Sequence, residues 1–386
     1  MRRSVDRIAV LIFAALLFAP LLQMITHLVH EPLVEERREP RSVHAALARL
    51  LAMDPGLSDD INGWFDDRYG FRSVLIRLKN EIDYQLFASS DKVVIGKQGW
   101  LFEKEFLNDV VEDADNRSLD AQILSALRNL RDCLSERGVK LVFVLNATKS
   151  SIYPQFLPTK LPVDPPMRLS RRLAEVLRHE PGIAFIDGEQ ILLEHNDEEL
   201  FWKNDVHMNL KAASYVYREM ISQIAQLTGQ REPTLAPESW NAVRWNGGSE
   251  ARFLAKLFPL ANAGYVSQNT ITAWESDQYG EFEWKVGSAE IPKYPELPLF
   301  DVIFRNKRDK SALLPPIMLF GTSFVDLMFD LKYNDVFSAI YRTRSNTPER
   351  IGPLMRHLPD DVRVFVIEFP EMLLSRMSKL DFVCNS

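Results

Sequence analysis

Cysteine is scarce: 386 residues contain two, Cys133 and Cys384. They are far apart, show no CxxC spacing and belong to no paired His motif. A structural zinc site is therefore not expected and a small disulfide scaffold is excluded; a single bridge stays open, with two independent thiols as the expected state. Surplus positive charge is also missing, since 46 Lys+Arg face 53 Asp+Glu, a net charge of −7. Nucleic acid is held by clustered Lys and Arg, so no nucleic-acid partner is expected. No internal repeat is evident, and no residue spacing calls for a metal or cofactor. What is present is an ordinary globular composition, 46% hydrophobic and 26% charged. It supplies a core of normal size, and the length suggests two or three structural units.

Long apolar runs are absent with one exception. Arg2, Arg3 and Arg7 precede an apolar run from Ile8 to Leu22 that only Pro20 interrupts. As a helix, residues 8–22 would rise about 22 Å, short of a hydrocarbon core of ~30 Å. Carried on through Met24, Ile25, Leu28 and Val29, residues 8–29 become long enough. Leu17-Phe18-Ala19, followed by Pro20, makes a poor cleavage site, so a retained signal anchor is favoured over a cleaved signal. The basic cap should stay cytoplasmic and the remainder of the chain should be exported.

The expected organisation is an anchor helix over 1–30 and a charged linker and helical prelude over 31–90. An α/β domain follows over 91–386, with an insertion around 229–312. In the prelude, Leu47, Leu50, Leu51, Val74, Leu75, Leu78, Ile82 and Leu86 recur at helical spacing. Residues 93–102 are two short apolar runs about a glycine-bounded turn, which predicts a hairpin. Helix and strand signals then alternate. Helices are predicted over 118–137, 167–178 and 210–228. Strands are predicted over 139–145, 183–186, 317–320 and 362–367. Short apolar strands separated by amphipathic helices imply a parallel sheet covered by helices.

In such sheets, functional groups collect just past the carboxyl ends of strands. Asn146, Thr148, Lys149 and Tyr153 follow the first predicted strand, and Asp187 the second. Beyond it lies Lys203-Asn204-Asp205-Val206-His207-Met208-Asn209. Gly321-Thr322-Ser323-Phe324 and Glu368 follow the other two strands. A serine hydroxyl needs an adjacent base, and imidazole, titrating near pH 6.5, suits that work. A carboxylate on the other ring nitrogen fixes the tautomer and stabilises the imidazolium. Asp205 and His207 project to one side if locally extended. Gly321 permits a sharp turn that leaves Ser323 near free backbone N–H groups. The bland alternatives are an Asp205 that caps the helix beginning near 209 and a Ser323 that serves as an N-cap. Lys149 could contact an acidic ligand or be a plain surface lysine. His27, His30, His44, His179, His195 and His357 are expected to be solvated or structural.

Taken together, the motifs resemble those of the alginate O-acetyltransferase AlgJ/AlgX family. Ile95-Gly-Lys-Gln-Gly-Trp-Leu-Phe102 is similar to its GKxGWLF signature, and Thr148–Pro158 to its NKxxxYPExLP segment. Residues 203–209 resemble KTDTHWN, and 321–324 resemble GTSF/GTSY. Gly248–Ala251 is a looser match to GDLA. The resemblance implies an SGNH-hydrolase-like α/β/α sandwich with Ser323 as nucleophile, His207 as base and Asp205 as its orienter. Lys149, Asn146 and Tyr153 become candidate substrate contacts. It also implies acetyl transfer to hydroxyls of an exopolysaccharide in the bacterial periplasm. There a membrane-bound O-acyltransferase would supply the acetyl group, and the anchor would hold the chain at the inner membrane. An acetylesterase with the same three residues and a non-catalytic scaffold are the competing outcomes. The family's Thr and Trp become Val206 and Met208, so the loop and its glycan-facing surface are expected to differ. Only 63 residues follow Ser323 (386 − 323), too few for an appended carbohydrate-binding module. An AlgJ-like layout is therefore expected.

Overall fold

The computed structural model describes residues 2–29, 57–160, 165–235, 240–244, 269–273, 282–285, 290–291, 294–306, 308 and 310–380. The expected linker 31–42, the start of the prelude, the GDLA-like element and Cys384 lie outside the described residues. The chain divides into two units, residues 1–90 with 252–265, and 91–251 with 266–386.

In the first unit, helix α1 (Arg2–Thr26) is followed by α2 (Leu57–Arg68) and α3 (Arg72–Phe87). The membrane span expected over 8–29 is not borne out. The helix stops at Thr26, where the buried Gln23 amide turns back to donate to the Val29 carbonyl at 2.7 Å. A Cβ on Gly70 would collide with the Pro20 carbonyl and come within 2.8 Å of the Met24 nitrogen, so this stretch of helix packs against protein backbone. Among the described residues no helix is long and apolar enough to cross a membrane. The described part of the prelude, residues 57–87, is largely helical, and Leu75, Leu78 and Ile82 on α3 are exposed.

The second unit opens with the predicted hairpin, β1 (Val93–Ile95) and β2 (Leu101–Glu103), paired antiparallel. Helices α4 (Lys104–Asp115) and α5 (Ser118–Glu136) lead into strand β3 (Lys140–Asn146). Next come α6 (Lys149–Ile152), α7 (Leu169–Leu177), β4 (Ile183–Asp187), α8 (Gly188–Leu193) and α9 (Leu210–Thr228). Strands β5 (Trp240–Arg244) and β6 (Asn269–Ala273) pair with each other. They are followed by β7 (Phe282–Lys285), the paired β8 (Glu290–Ile291) and β9 (Tyr294–Pro298), and β10 (Val302–Asn306). The chain continues through β11 (Ile317–Gly321), α10 (Asp326–Asp330), β12 (Ala339–Arg344), α11 (Ile351–Arg356) and β13 (Val364–Pro370).

The main sheet has the order β4-β3-β13-β11-β12-β10-β7. The first five strands are parallel, and β10 and β7 add an antiparallel edge. Thus part of the stretch expected as an insertion supplies sheet strands. Strand β12, which the sequence did not signal, joins β11 to β10. The central strands β11 and β13 are buried at every position, β3 at all but its first residue, and the edge strand β4 is half-buried at three of five. Ile123, Leu127, Leu130 and Leu134 line the buried face of α5, at the i, i+4, i+7 spacing a helix needs. Val216, Tyr217, Met220 and Ile224 do the same for α9. Burying one such side chain stabilises by roughly 1.5–3 kcal/mol.

Cys133, on α5, is disulfide-bonded, which overturns the expectation of independent thiols. Cys384 is the only other cysteine in the chain.

Candidate active site

Strands β11 and β13 end side by side, with Phe320 paired to Ile367, which puts Gly321 next to Glu368. At the end of β11 the chain turns through Thr322 into a short 3₁₀ turn, Ser323–Val325. Thr322 is the cap residue, its hydroxyl accepting from the Phe324 N–H at 3.3 Å. Ser323 is therefore not the cap, and its hydroxyl is left for other work. As the first residue of the turn, Ser323 also keeps its N–H outside the turn's own hydrogen bonds, where a developing oxyanion could meet it.

The Asp-His loop is closed at its base. Phe201 and Met208 form an isolated antiparallel bridge, and the Asn209 N–H donates to the Leu200 carbonyl at 2.9 Å. Asn209 caps α9 by accepting from the Ala212 N–H at 3.0 Å, so Asp205 is not needed there. Both bland roles are filled by neighbouring residues. Asp205 Oδ1 instead accepts from the His207 backbone N–H at 2.9 Å and lies 2.6 Å from His207 Nδ1. His207 Nε2 lies 2.6 Å from Ser323 Oγ, across 116 residues of sequence. A carboxylate only accepts, so Nδ1 carries the proton and Nε2 offers its lone pair to the serine hydroxyl. Burial works against the Asp205 charge, but the His207 contacts and the Lys149 ammonium together hold its carboxyl below the usual range. Asp205 stays ionised, and His207 remains about a quarter exposed and reachable by a substrate.

Lys149, Asn146 and Tyr153, the candidate substrate contacts, are buried. Lys149 is buried, and its ammonium lies 3.4, 3.2 and 2.9 Å from the carbonyls of Trp202, Lys203 and Asp205. One side chain thus gathers the backbone of the loop that carries the Asp-His pair. Asn146 donates to Glu368 at 2.8 Å. The Tyr153 hydroxyl donates to the Glu198 carbonyl and accepts from the Leu200 N–H, and burial pushes it up to about 12. Of the two departures from the family pattern, Met208 is fully buried, whereas Val206 is only partly buried where it packs on the core. Replacing Lys149 with methionine keeps the stem and removes the three donors. We expect turnover to fall about tenfold, with faster amide exchange across residues 202–209. Unchanged exchange there would refute the gathering role.

Sequence reasoning passed over Thr322, Tyr217 and Asp326, and noted Glu368 without giving it a role. The Tyr217 hydroxyl donates to the Phe324 carbonyl at 2.8 Å. Asp326 pairs with Arg342 and, at 2.9 Å, with Arg344. Burial raises the Asp326 carboxyl despite those arginines and the charge of His207. No local motif marks these residues, because each acts across elements. Among the described residues no group of three or more His, Cys, Asp or Glu could hold a metal ion.

A family model described as "SGNH hydrolase-like domain, acetyltransferase AlgX" matches residues 93–290, just over half of the chain. The chain belongs to this family. The matched stretch of this SGNH hydrolase-like acetyltransferase family holds the hairpin and the Asp205–His207 loop, and it ends before Ser323. A probable alginate O-acetylase AlgJ from Pseudomonas syringae pv. tomato is 24% identical over 176 residues. That match spans 44% of this chain and 43% of the relative, less than half of its length. Among solved structures, the O-acetyltransferase domain of Pseudomonas putida AlgJ superposes with a TM-score of 0.52 at 17% identity. It covers 73% of this chain and 92% of that one. Bacillus cereus PatB1, solved with a sulfonyl adduct, gives 0.51 at 12% identity, covering 76% and 99%. At such identities the likeness is one of fold, an SGNH-like α/β domain with a mostly parallel sheet.

Proposed function

We propose that this chain is an O-acetyltransferase that moves acetyl groups onto hydroxyls of an exopolysaccharide through an acetyl-serine intermediate. The observation that carries this reading is the unbroken chain from Ser323 Oγ through His207 to Asp205, with both links at 2.6 Å. It sits in a fold whose family is one of acetyltransferases. Ser323 Oγ attacks the acetyl carbonyl of the donor while His207 Nε2 takes its proton. The tetrahedral oxyanion forms near the Ser323 N–H. Collapse breaks the bond to the donor's leaving oxygen, which receives the proton from His207. The acceptor hydroxyl then attacks the acetyl-serine, His207 takes that proton, and Ser323 leaves with it restored. The protein ends unchanged, and one acetyl has passed from oxygen to oxygen.

The partner proposed to present the acetyl group is a membrane-bound O-acyltransferase, and the compartment proposed is the bacterial periplasm. The bonded state of Cys133 supports the second point, because disulfides persist in oxidising compartments. The test is incubation of the purified chain with an activated acetyl ester, with and without oligosaccharide, read by mass spectrometry. Acetylated sugar that depends on the protein supports transfer. Free acetate alone, equal in both mixtures, would make water the acceptor and the protein an esterase. A folded protein that yields neither would be a scaffold.

A further inference from the structure

Behind the serine turn lies a second carboxylate that the acyl-transfer steps do not use. Glu368 is fully buried in β13. The Thr322 backbone N–H donates to its Oε2 at 2.8 Å, the Thr322 hydroxyl donates to the same oxygen at 2.9 Å, and Asn146 Nδ2 donates to Oε1 at 2.8 Å. The packing is close enough that a Cβ on Gly321 would come 2.8 Å from Oε2 and 2.9 Å from the Glu368 Cβ. On the other side of the turn, the Tyr217 hydroxyl grips the Phe324 carbonyl. The residues flanking Ser323 are thus each held by a buried side chain from another element, and Ser323 itself is left to His207.

We propose that Glu368 is the positioning residue of the nucleophile, fixing through Thr322 the turn that aims Ser323 Oγ at His207 and adding a second buried carboxylate to the site. The inference rests on the nucleophilic reading of Ser323, though not on the identity of the acceptor. A buried carboxylate is kept only where donors compensate its desolvation, and all three donors here belong to the nucleophile turn or to the end of β3. Burial pushes Glu368 up to about 7, against the pull of the Asn146 and Thr322 hydrogen bonds and the His207 charge. Acidification through neutrality therefore puts a proton on the group that holds the turn. The ionisable and charged groups facing this region are Asp205 and His207 on their loop, Lys149 on α6, Tyr217 on α9, Asp326 on α10 and Glu371 just past β13.

The test uses the rate at which phenylmethylsulfonyl fluoride labels Ser323 as a function of pH, read by intact mass. Serine oxygen bonds to sulfur, fluoride leaves and His207 takes the proton, so no glycan or acetyl donor is required. Glu368→Gln removes the titrating group. Labelling should fall about tenfold on the plateau, because the aim of Oγ is lost, and the acid limb should move to lower pH. Asn146→Leu removes a donor that favours the carboxylate, so Glu368 protonates more readily and the acid limb should move to higher pH. Glu371→Gln is the structural control. Glu371 accepts from Thr148 and Ser170 near the same strand end, and its loss should lower Tm without moving the limb. Opposite displacements in the first two variants support the proposal. Limbs that coincide with the wild type in both overturn it, and if Glu368→Gln does not fold, the Asn146→Leu displacement decides alone. A wild type in which Ser323 cannot be labelled overturns both this inference and the acyl-transfer reading. A wild type that labels but acetylates no sugar overturns only the latter.

Discussion

Ser323→Ala is expected to abolish acetyl transfer while the fold survives. The hydroxyl makes its hydrogen bond to His207, on the partly open side of the site, and the turn around it is held by Thr322, Glu368 and Tyr217. Its loss should cost stability no more than about 1 kcal/mol. Without the nucleophile, only binding and oxyanion stabilisation remain, so turnover should drop by roughly 10⁴-fold or more. His207→Ala should be comparably damaging. Asp205→Asn should hurt somewhat less, because an amide oxygen can still accept from both His207 N–H groups while the charge is lost. Acetate content of the polymer in complemented cells, with protein level followed alongside, is the measurement. Full acetylation by Ser323→Ala protein at normal abundance would remove Ser323 from the chemistry and leave a scaffold as the better account.

Gly321→Ala should damage both stability and activity, from a single methyl group. The added Cβ would lie 2.5 Å from Val325 Cγ1 as well as against Glu368. Neither neighbour is the free end of a flexible surface chain. Val325 is fully buried within the turn, and Glu368 is fixed by three hydrogen bonds. Relief requires the end of β11 to part from β13, at about 1–3 kcal/mol as for other overpacked cores. The same displacement moves Ser323, and a shift of about 1 Å at a reacting atom costs on the order of 10²-fold in rate. Thermal unfolding and turnover should therefore fall together. A variant with unchanged Tm and normal turnover would show that the strand ends yield freely, and would weaken the rigid-turn argument for Glu368 as well.

What the sequence by itself determined was local. The 210–228 helix was legible to the residue from its sequence pattern, and the structure adds the Asn209 and Gly229 caps, where the sequence had offered Asp205. The hairpin at 93–102 was legible from its glycines and short apolar runs. Strands β3, β11 and β13 were legible because burial on both sides leaves a continuous apolar run, and β4 from its short apolar run Ile183–Ile186. Strand β12, Ala-Ile-Tyr-Arg-Thr-Arg, was not, because its polar half reads as loop until Asp301 and Asp326 are seen to hold Arg342. The carboxylate, imidazole and hydroxyl could be chosen from strand-end position and shared motifs. Their convergence could not, since no periodicity carries information across 116 residues. The tertiary structure alone decided that Lys149 faces three carbonyls rather than a ligand, that Cys133 is bonded, and that Glu368 stands behind the nucleophile. Helix and strand follow from which face of a short segment must leave water. A buried polar group is defined by its partners, and those arrive from other elements only when the sheet has closed.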